Sequence, residues 1–440
     1  MSKKNFILGF VLLALLGACS AGISQNTVQN KKDLYSQVEL FSYALTTVQS
    51  EYVDEKTPQD LIYGALKGML SSLDPHSEFM DPEEYKDLKT ETEGKFGGLG
   101  VEISIKDDLL TVISPVEDTP AWHAGIKAGD RIVKIGHAIT RDMTLDDAVK
   151  LLRGEPGTQV TITVLRESDD SVKDFVITRE IIHVDDIKDP HLLGDHIGYV
   201  RLTEFRENSY NELHQALEKL KAQGADSLVL DLRNNPGGLL DVAIKIAEDF
   251  LPAGKTIVST KGRHSSEDFT ANSQNDNGDF LGWPMVVMIN EGSASGSEIV
   301  AGALRDNKRA VLVGVKSFGK GSVQSVIPLP DGSGLRLTTA RYFTPSGVCI
   351  NGIGITPDVV IEQKEPADDD SDRKSAAKED SDDVDTVFTE LEDKEKNKKV
   401  LPTEDKKQLA LKKKDEADLQ LQSAINVIKG IKIYRQFQQK

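Results

Sequence analysis

The chain has 440 residues, of which 38% are hydrophobic, and a formal net charge of −18 at pH 7. This length exceeds what one compact core accommodates, so two or three domains are expected. The negative charge argues against a nucleic-acid partner, whose phosphates require a basic surface. The sequence has no His-Glu-x-x-His element, no Cys-x-x-Cys pair and no phosphate loop of the Gly-x-x-x-x-Gly-Lys-Ser/Thr type, so we expect neither a metal nor an organic cofactor.

The first 19 residues predict export. Lys3 and Lys4 precede an apolar stretch, 6–16, that ends in small residues and Cys19, which is typical of a secretory signal and too short for a membrane span. The sequence 16–19, Leu-Gly-Ala-Cys, also resembles a bacterial lipoprotein box, in which Cys19 becomes the lipidated first residue. Ordinary signal cleavage at a nearby small residue stays open. The expected location is the periplasm or cell envelope, with membrane contact only through such a lipid.

The N-terminal region, residues 30–94, is expected to be helical. Within it the segment 38–70 is amphipathic, with apolar residues at helical spacing. They are Leu40, Phe41, Ala44, Leu45 and Val48. This face fits either ordinary core packing or contact with another copy of the chain.

A glycine-rich loop then precedes a predicted strand. Gly98, Leu99 and Gly100 lead into Val101 and Ile103, which share one face of the strand. Apolar residues at helical spacing follow and are available to line the opposite side of a groove: Leu145, Val149 and Leu152. The region 95–170 resembles a PDZ domain. The resemblance implies that a peptide adds as a strand beside Val101 to Ile103, that the loop N–H groups receive its terminal carboxylate, and that an apolar last residue is preferred.

Two later segments carry the candidate chemistry. An unbroken apolar run, 284–289, predicts a buried strand, and a helical pattern follows over 298–306. Ser295 lies at the turn between them, where free N–H groups and the helix dipole favour a developing oxyanion. Lys320 follows another predicted strand, 309–315, and lies between two glycines. To act as a base for the serine it must be neutral, so its pKa has to fall well below that of ordinary lysine, as burial allows.

Together these segments resemble the carboxy-terminal processing proteases, exported serine endopeptidases with a Ser/Lys dyad. The shared motifs recur in order along the chain: Tyr52-Val53-Asp54, Leu73-Asp74-Pro75-His76-Ser77, residues 231–238, residues 341–347 and residues 354–358. The resemblance implies Ser295 as nucleophile, Lys320 as general base and Gln324 as the residue that supports Lys320. It also implies an oxyanion hole built from the N–H of Gly296 and from Gly237 or Gly238.

The resemblance also bears on regulation, and the chain departs from the family pattern at one position next to the nucleophile. In the family the PDZ domain often acts as a gate that responds to substrate, and Arg153, at the end of the groove helix, is a candidate to carry that signal. An ordinary arginine in a last helical turn is the competing interpretation. Gly296 stands where the family usually has alanine, which keeps the backbone donor but loosens the turn.

The predicted architecture is an α/β protease core of mixed sheet and helices over 171–361, with an inserted PDZ domain resembling a β-barrel and helical segments at both ends. Residues 362–402 are acidic and poor in apolar side chains, which indicates a disordered linker. Helical periodicity returns over 403–438. Relatives use terminal helices for assembly, so a homo-oligomer is expected.

We therefore expect an exported endopeptidase that acts on proteins or peptides with apolar C-termini, with an adaptor protein as a further candidate partner. A catalytically inactive PDZ-containing scaffold is the main alternative, and a small-molecule esterase or amidase is another. Ser317 and Lys320 also fit the Ser-x-x-Lys signature of penicillin-recognising enzymes, but the flanking glycines favour a turn over the helix that this signature opens. Histidine catalysis is a weak competitor, and His196, His214 and His264 are expected to be surface or structural residues.

Overall fold

The computed structural model describes residues 34–362 and 411–438, apart from 107–108, 117, 142, 167–170, 265–267, 277 and 279. The predicted leader with Cys19, nearly all of the acidic linker and the start of the C-terminal segment lie outside these residues. In the described ranges no helix is long and apolar enough to cross a bilayer. The chain divides into two compact units: Met1–Pro82 with Val326–Leu337, and Glu83–Ser325 with Thr338–Lys440.

The smaller unit contains α1 (34–51), α2 (Pro58–Ser71) and β1 (Glu78–Met80). The segment predicted as helical over 38–70 is thus two helices. Pro58 disfavours helical backbone at Thr57, which is extended and caps α2 by accepting the N–H of Asp60 at 3.1 Å. Leu34, Val38 and Phe41 of α1 are exposed in the single chain. β1 pairs antiparallel with residues 334–336.

The first part of the larger unit is a six-stranded antiparallel sheet. Its elements, preceded by α3 (Pro82–Glu93) and β2 (Lys95–Gly98), are β3 (Val101–Lys106), β4 (Leu109–Pro115), α4 (Pro120–His123), β5 (Arg131–Ile135), β6 (Ala138–Ile139), α5 (Leu145–Leu152), β7 (Gln159–Arg166) and β8 (Ser171–Thr178). The order is β3-β4-β5-β7-β8, with β6 beside β5. β8 continues this sheet past residue 170, and its Ile177 shares a core with Leu99 and Ile132. β2 pairs instead with β9 (Glu180–His183).

The second part is the α/β core. Its elements are β10 (Ile187–Leu193), β11 (Ile197–Leu202), α6 (Ser209–Ala222), β12 (Ser227–Asp231), α7 (Leu240–Glu248), β13 (Thr256–Gly262), β14 (Phe269–Asn272), β15 (Met285–Ile289), α8 (Gly296–Asp306), β16 (Val311–Gly314), β17 (Ser322–Pro328), β18 (Gly334–Phe343) and β19 (Val359–Val360). The central sheet has the order β10-β11-β12-β15-β16-β19. Only its first pair is antiparallel. β13 pairs antiparallel with β14 and with the end of β18.

Helices cover both faces of this sheet, which explains why β12 and β15 are apolar without alternation. α6, α7 and α8 pack on one face around Leu228 and Leu230. After α9 (411–417), α10 (Leu419–Gln438) lies on the other face, where Leu421, Ile425 and Ile428 pack against β11, β12, β15 and β16. The predicted combination of a mixed-sheet core, a PDZ-like β-domain and terminal helices is confirmed.

Candidate active site

Ser295 lies at the sharp turn between β15 and α8. It is 8% exposed, and its backbone has φ = +50° and ψ = −110°, a region that side-chain-bearing residues rarely adopt. Such strain persists only where the surroundings enforce it, and it concentrates at functional sites. The first N–H groups of α8 have no partner inside the helix, so its positive end faces this turn.

Glu298 joins the turn of Ser295 to the loop of Lys320. Its Oε2 accepts the backbone N–H of Ser295 and that of Lys320, each at 2.9 Å. Its Oε1 accepts the hydroxyl of Ser317 at 2.6 Å and the N–H of Gly319 at 2.8 Å. The two backbone nitrogens of the predicted dyad therefore lie no further apart than twice the hydrogen-bond length.

Glu298 is fully buried. Burial raises the pKa of its carboxyl, while the four donors act in the opposite direction by stabilising the charged form. Glu298 is not among the residues that the sequence motifs predict. Its position three residues after a helix-capping serine, as in a capping box, was the available signal.

The loop that carries Lys320 is closely packed against its neighbours, and Lys320 itself is partly buried. Phe318 donates its N–H to the carbonyl of Ser293, two residues before the nucleophile, at 3.0 Å. Gly319 has φ = +94°, and a Cβ on Gly321 would lie 2.1 Å from the backbone nitrogen of Asn351. Both glycines are thus required by close backbone approach, and a helix through Ser317 and Lys320 is excluded.

Gln324 lies on strand β17, four residues after Lys320 in sequence. Its Nε2 donates to Oγ of Ser322 at 3.1 Å and to Oγ1 of Thr338 at 2.8 Å. Its Oε1 is buried and has no hydrogen-bond partner among the described residues. A buried acceptor without a partner is costly, so this oxygen is a ready site for an added donor.

The predicted oxyanion glycines flank Ser295. Gly237 has φ = +103°, and a Cβ there would lie 2.7 Å from Cβ of Ser295, so only glycine fits. Its N–H donates to Oδ1 of Asn235 at 2.9 Å and is thus already engaged. A Cβ on Gly238 would lie 2.2 Å from the carbonyl oxygen of Phe205. A Cβ on Gly296 would lie 3.1 Å from the Phe205 ring, so this ring crowds the space of the alanine methyl usual in the family.

The segment 234–238, which we call the oxyanion loop, is bound directly to the nucleophile turn. The carbonyl of Asn235 accepts the N–H of Ala294 at 3.0 Å and the hydroxyl of Ser297 at 2.9 Å. Asn234 exchanges two hydrogen bonds with the side chain of Asn290. The position of Gly237 and Gly238 relative to Ser295 therefore depends on how this loop is held.

A groove lies beside β3, at the place where the sequence predicts a peptide site. A cavity of about 100 Å³ is lined by residues of the glycine-rich loop, β3 and α5: Phe96, Gly98, Leu99, Gly100, Val101, Ile103, Val149, Leu152 and Arg153. Gly100 has φ = +74°, and a Cβ there would meet Thr119 at 2.3 Å. The guanidinium carbon of Arg153 lies 4.5 Å from the ring centre of Phe96.

Two of the three histidines, His214 and His196, have structural partners. His214 Nδ1 lies 3.0 Å from Oδ2 of Asp249, and His196 Nδ1 lies 3.0 Å from the carbonyl of Gly224. His264 lies in a bend after β13. Within the described part of the chain, no three His, Cys, Asp or Glu side chains are grouped as metal ligands.

Comparison with known proteins places these features in a family. Residues 196–361 match the model of peptidase family S41, residues 111–166 match a PDZ domain, and residues 16–84 match the N-terminal domain of the activating protease CtpB. A carboxy-terminal-processing protease of Bartonella bacilliformis is 46% identical over 366 residues, which cover 82% of each chain. A carboxyl-terminal-processing protease of Synechocystis sp. is 40% identical over 307 residues, 68% of this chain and 71% of the relative.

Among solved structures, the photosystem II D1 C-terminal processing protease matches 73% of this chain and 86% of its own, at 33% identity and a TM-score of 0.43. The family assignment follows from the sequence relatives and from the matched domains. The chain belongs to the carboxy-terminal processing proteases of peptidase family S41, serine proteases that here carry a PDZ domain.

Proposed function

We propose that this chain is an exported endopeptidase in which Ser295 and Lys320 form the catalytic dyad. The observation that carries this proposal is the carboxylate of Glu298, which accepts the backbone N–H groups of both residues on one oxygen. This shared contact brings together two segments that are separated by a helix and a strand. The strained backbone of Ser295 and the glycines around Lys320 support the same assignment.

In the proposed reaction Oγ of Ser295 attacks the peptide carbonyl carbon while Nζ of Lys320 takes the hydroxyl proton. The carbonyl oxygen becomes the oxyanion beside the N–H of Gly296, with Gly237 or Gly238 as second donor. Gly237 must exchange its bond with Asn235 to take that role. Lys320 then returns the proton to the leaving amine, and a peptide ester of Ser295 remains. Water attacks this ester with Lys320 again as base, which releases the acid and restores the serine.

The Oε1 of Gln324 makes no hydrogen bond to Lys320 in the structure, so the proposed role of Gln324 requires the amine of Lys320 to move into contact with this buried acceptor. An uncharged acceptor can orient the amine of Lys320 without adding a negative charge, which would raise the pKa of the lysine and keep it protonated. In this scheme Gln324 is a positioning residue rather than a participant in proton transfer.

The PDZ groove is proposed to capture protein C-termini. Its apolar walls suit an apolar last residue, and the N–H groups of Gly98, Leu99 and Gly100 would receive the carboxylate while the peptide pairs with Val101 to Ile103. Substrates would then be proteins or peptides with apolar C-termini.

Export, lipidation at Cys19, homo-oligomer formation and an adaptor partner belong to the same proposal. The N-terminal signal and the apolar side chains exposed on α1 support export and self-association respectively. Mass spectrometry of the mature N-terminus tests lipidation, since an unmodified terminus downstream of Cys19 contradicts it.

The decisive experiment is incubation of the mature chain with an unstructured protein that ends in apolar residues, followed by mass spectrometry of the products. Ser295→Ala and Lys320→Ala variants serve as controls. We expect cleavage by the parent alone. Cleavage that persists in either variant would contradict the dyad.

Gly296 is the one feature that favours the alternative, an inactive PDZ-containing scaffold. If the parent does not cleave, addition of a free peptide with an apolar C-terminus separates the two readings. Restored cleavage indicates a closed gate, whereas binding of the peptide without any cleavage indicates a scaffold.

A further inference from the structure

Arg233 directly precedes the oxyanion loop. Its guanidinium is bound by one side chain close to it in sequence and by two side chains from the C-terminal segment. Asp231, at the end of β12, accepts hydrogen bonds from the Arg233 guanidinium with both carboxylate oxygens. Nε donates to Oδ1 at 3.0 Å and Nη2 donates to Oδ2 at 2.7 Å. From the C-terminal end, Asp418 accepts Nη1 at 3.2 Å and Nη2 at 2.7 Å, and Oε1 of Gln420 accepts Nη1 at 3.0 Å. Arg233 is 9% exposed and Asp231 and Gln420 are 1% exposed, so this network is largely removed from water.

The C-terminal half of this network is fixed in place by α10. Asp418 caps the helix by accepting the N–H of Leu421 at 3.0 Å, and Nε2 of Gln420 donates to the carbonyl of Ile361 at 2.7 Å. Ile361 is the last residue of the S41 match, so Asp418 and Gln420 lie outside the matched region. The chain therefore adds these two contacts to the site from a segment that the family model does not include.

Attachment of α10 does not by itself explain these polar contacts. Leu421, Ala424, Ile425 and Ile428 are buried against the central sheet and give the helix an apolar anchor of its own. Burying an arginine with two carboxylates is costly, and such groups contribute less to stability than apolar side chains of similar size. What the network does determine is geometry, because a planar guanidinium bound on several sides has one orientation.

The backbone that follows Arg233 has little freedom. Its own N–H donates to Oδ1 of Asp231 at 2.9 Å, and the next residue, Asn234, has φ = +57°. A shift of Arg233 is therefore passed directly to Asn235, whose carbonyl binds the nucleophile turn, and to Gly237, which contacts Ser295.

We propose that Asp418 and Gln420 are positioning residues for the proteolytic reaction, acting through Arg233 to hold the oxyanion loop against Ser295. This inference rests on the proposed function of Ser295. α10 is accordingly part of the catalytic apparatus.

The test compares variants of the mature full-length chain. Asp418→Asn keeps an oxygen for the helix cap and removes the charge that faces Arg233, and Gln420→Leu removes the second contact. Lys429→Ala is the matched control. It breaks another contact of α10, the ion pair with Asp195 at 2.8 Å, which includes neither Arg233 nor its partners. Two readouts are taken: steady-state cleavage of a peptide, and the rate at which a fluorophosphonate labels Ser295, a reaction that also places a phosphoryl oxygen in the oxyanion site.

We expect Asp418→Asn and Gln420→Leu to lower kcat and the labelling rate by about 10-fold each, with KM changed by less than about 2-fold, while Lys429→Ala changes neither rate beyond about 2-fold. The double variant Arg233→Lys/Asp418→Asn should be no slower than Arg233→Lys alone, because both changes break one network. Circular dichroism melts check that each variant is folded at the assay temperature. If Asp418→Asn is not folded there, Asp418→Ser takes its place, since serine also retains a capping oxygen.

Variants that melt at a lower temperature but label at the parent rate would overturn the inference and leave a purely structural contact. Equal losses in Lys429→Ala would overturn it as well. If the parent, in the same way as Ser295→Ala, is not labelled at all, the proposed function itself is refuted. This outcome distinguishes failure of the proposed function from failure of the inference about Asp418 and Gln420.

Discussion

At the scale of single residues, Glu298 is the least replaceable group near the dyad. Three of its four donors are backbone N–H groups, which cannot reverse direction. Glu298→Gln would turn an NH₂ group toward two donors and leave them unsatisfied, at about 1–3 kcal/mol each. We expect kcat to fall by about 100-fold or more in a peptide-cleavage assay.

Glu291→Gln is the control for this prediction, because Glu291 is an exposed carboxylate on the same turn. It should retain parent activity. Glu298→Gln with kcat close to the parent value would show that the shared carboxylate does not organise the dyad.

Two glycines beside the nucleophile should respond differently to alanine. Gly237→Ala forces a side chain into φ = +103° and into contact with Ser295, so we expect loss of activity and a lower Tm. In Gly296→Ala the new methyl lies 3.1 Å from the Phe205 ring, which a small ring shift relieves, and 3.5 Å from Cβ of Ala243, which is an ordinary contact. Activity should stay within about 3-fold of the parent, since the backbone donor is retained. Equal inactivation of both variants, measured by Ser295 labelling, would contradict this account of the turn.

At the scale of elements, the contact between α10 and Arg233 makes stability depend on pH. Burial alone would raise the pKa of Asp418, but Arg233 and the N–H groups at the start of α10 outweigh it and hold that pKa below its usual range. The charged form thus stabilises the fold above the ordinary pKa of aspartate, about 3.9, and the contribution is lost as pH falls through the lowered value.

The corresponding prediction compares the Tm of the parent with that of Asp418→Asn over a range of pH. The parent should melt at a higher temperature near neutral pH, and the difference should shrink below about pH 4. A difference that is constant down to pH 3 would mean that the charge of Asp418 contributes nothing.

At the scale of the whole molecule, contacts run from the peptide groove to the oxyanion loop. Arg153 stacks on Phe96 of β2, which begins just after α3. The C-terminal end of α3 contacts the segment beside Phe205, since the carbonyl of Glu91 accepts Nε of Arg206 at 3.1 Å. Phe205 in turn contacts both Gly296 and Gly238.

Arg153→Ala tests whether this chain of contacts carries a signal. We expect cleavage without added peptide to be unchanged and its stimulation by an apolar C-terminal peptide to fall by about 3-fold or more, because the cation–π contact at the end of the groove is lost. Binding of the peptide, measured by fluorescence anisotropy, reports separately on the groove. Unchanged stimulation would remove Arg153 from any gating role.

The parts of this molecule that the sequence predicts well are those encoded locally. The strand–turn–helix around Ser295, the glycines that flank Lys320 and the glycine-rich loop of the PDZ domain are each defined within a few residues. The break at Thr57 was also local, but the apolar periodicity through it concealed the effect of Pro58.

Contacts between distant segments could not be predicted from the sequence. Three of the four donors to Glu298 lie some twenty residues away in sequence, and Arg233 meets Asp418 across the whole acidic segment. Periodicity predicted a helix in the C-terminal segment but not the sheet face that it covers, because any exposed apolar face would have suited it.

Asp418 and Gln420 also impose an order in time. On the ribosome Ser295, Lys320 and the oxyanion loop are all synthesised before these two residues, so the emerging chain holds its nucleophile before Arg233 has its full set of ligands. If these two residues position the oxyanion loop as proposed, a chain in which α10 has not yet docked on the sheet is poorly active. Docking of α10 would then be the folding step that completes the active site.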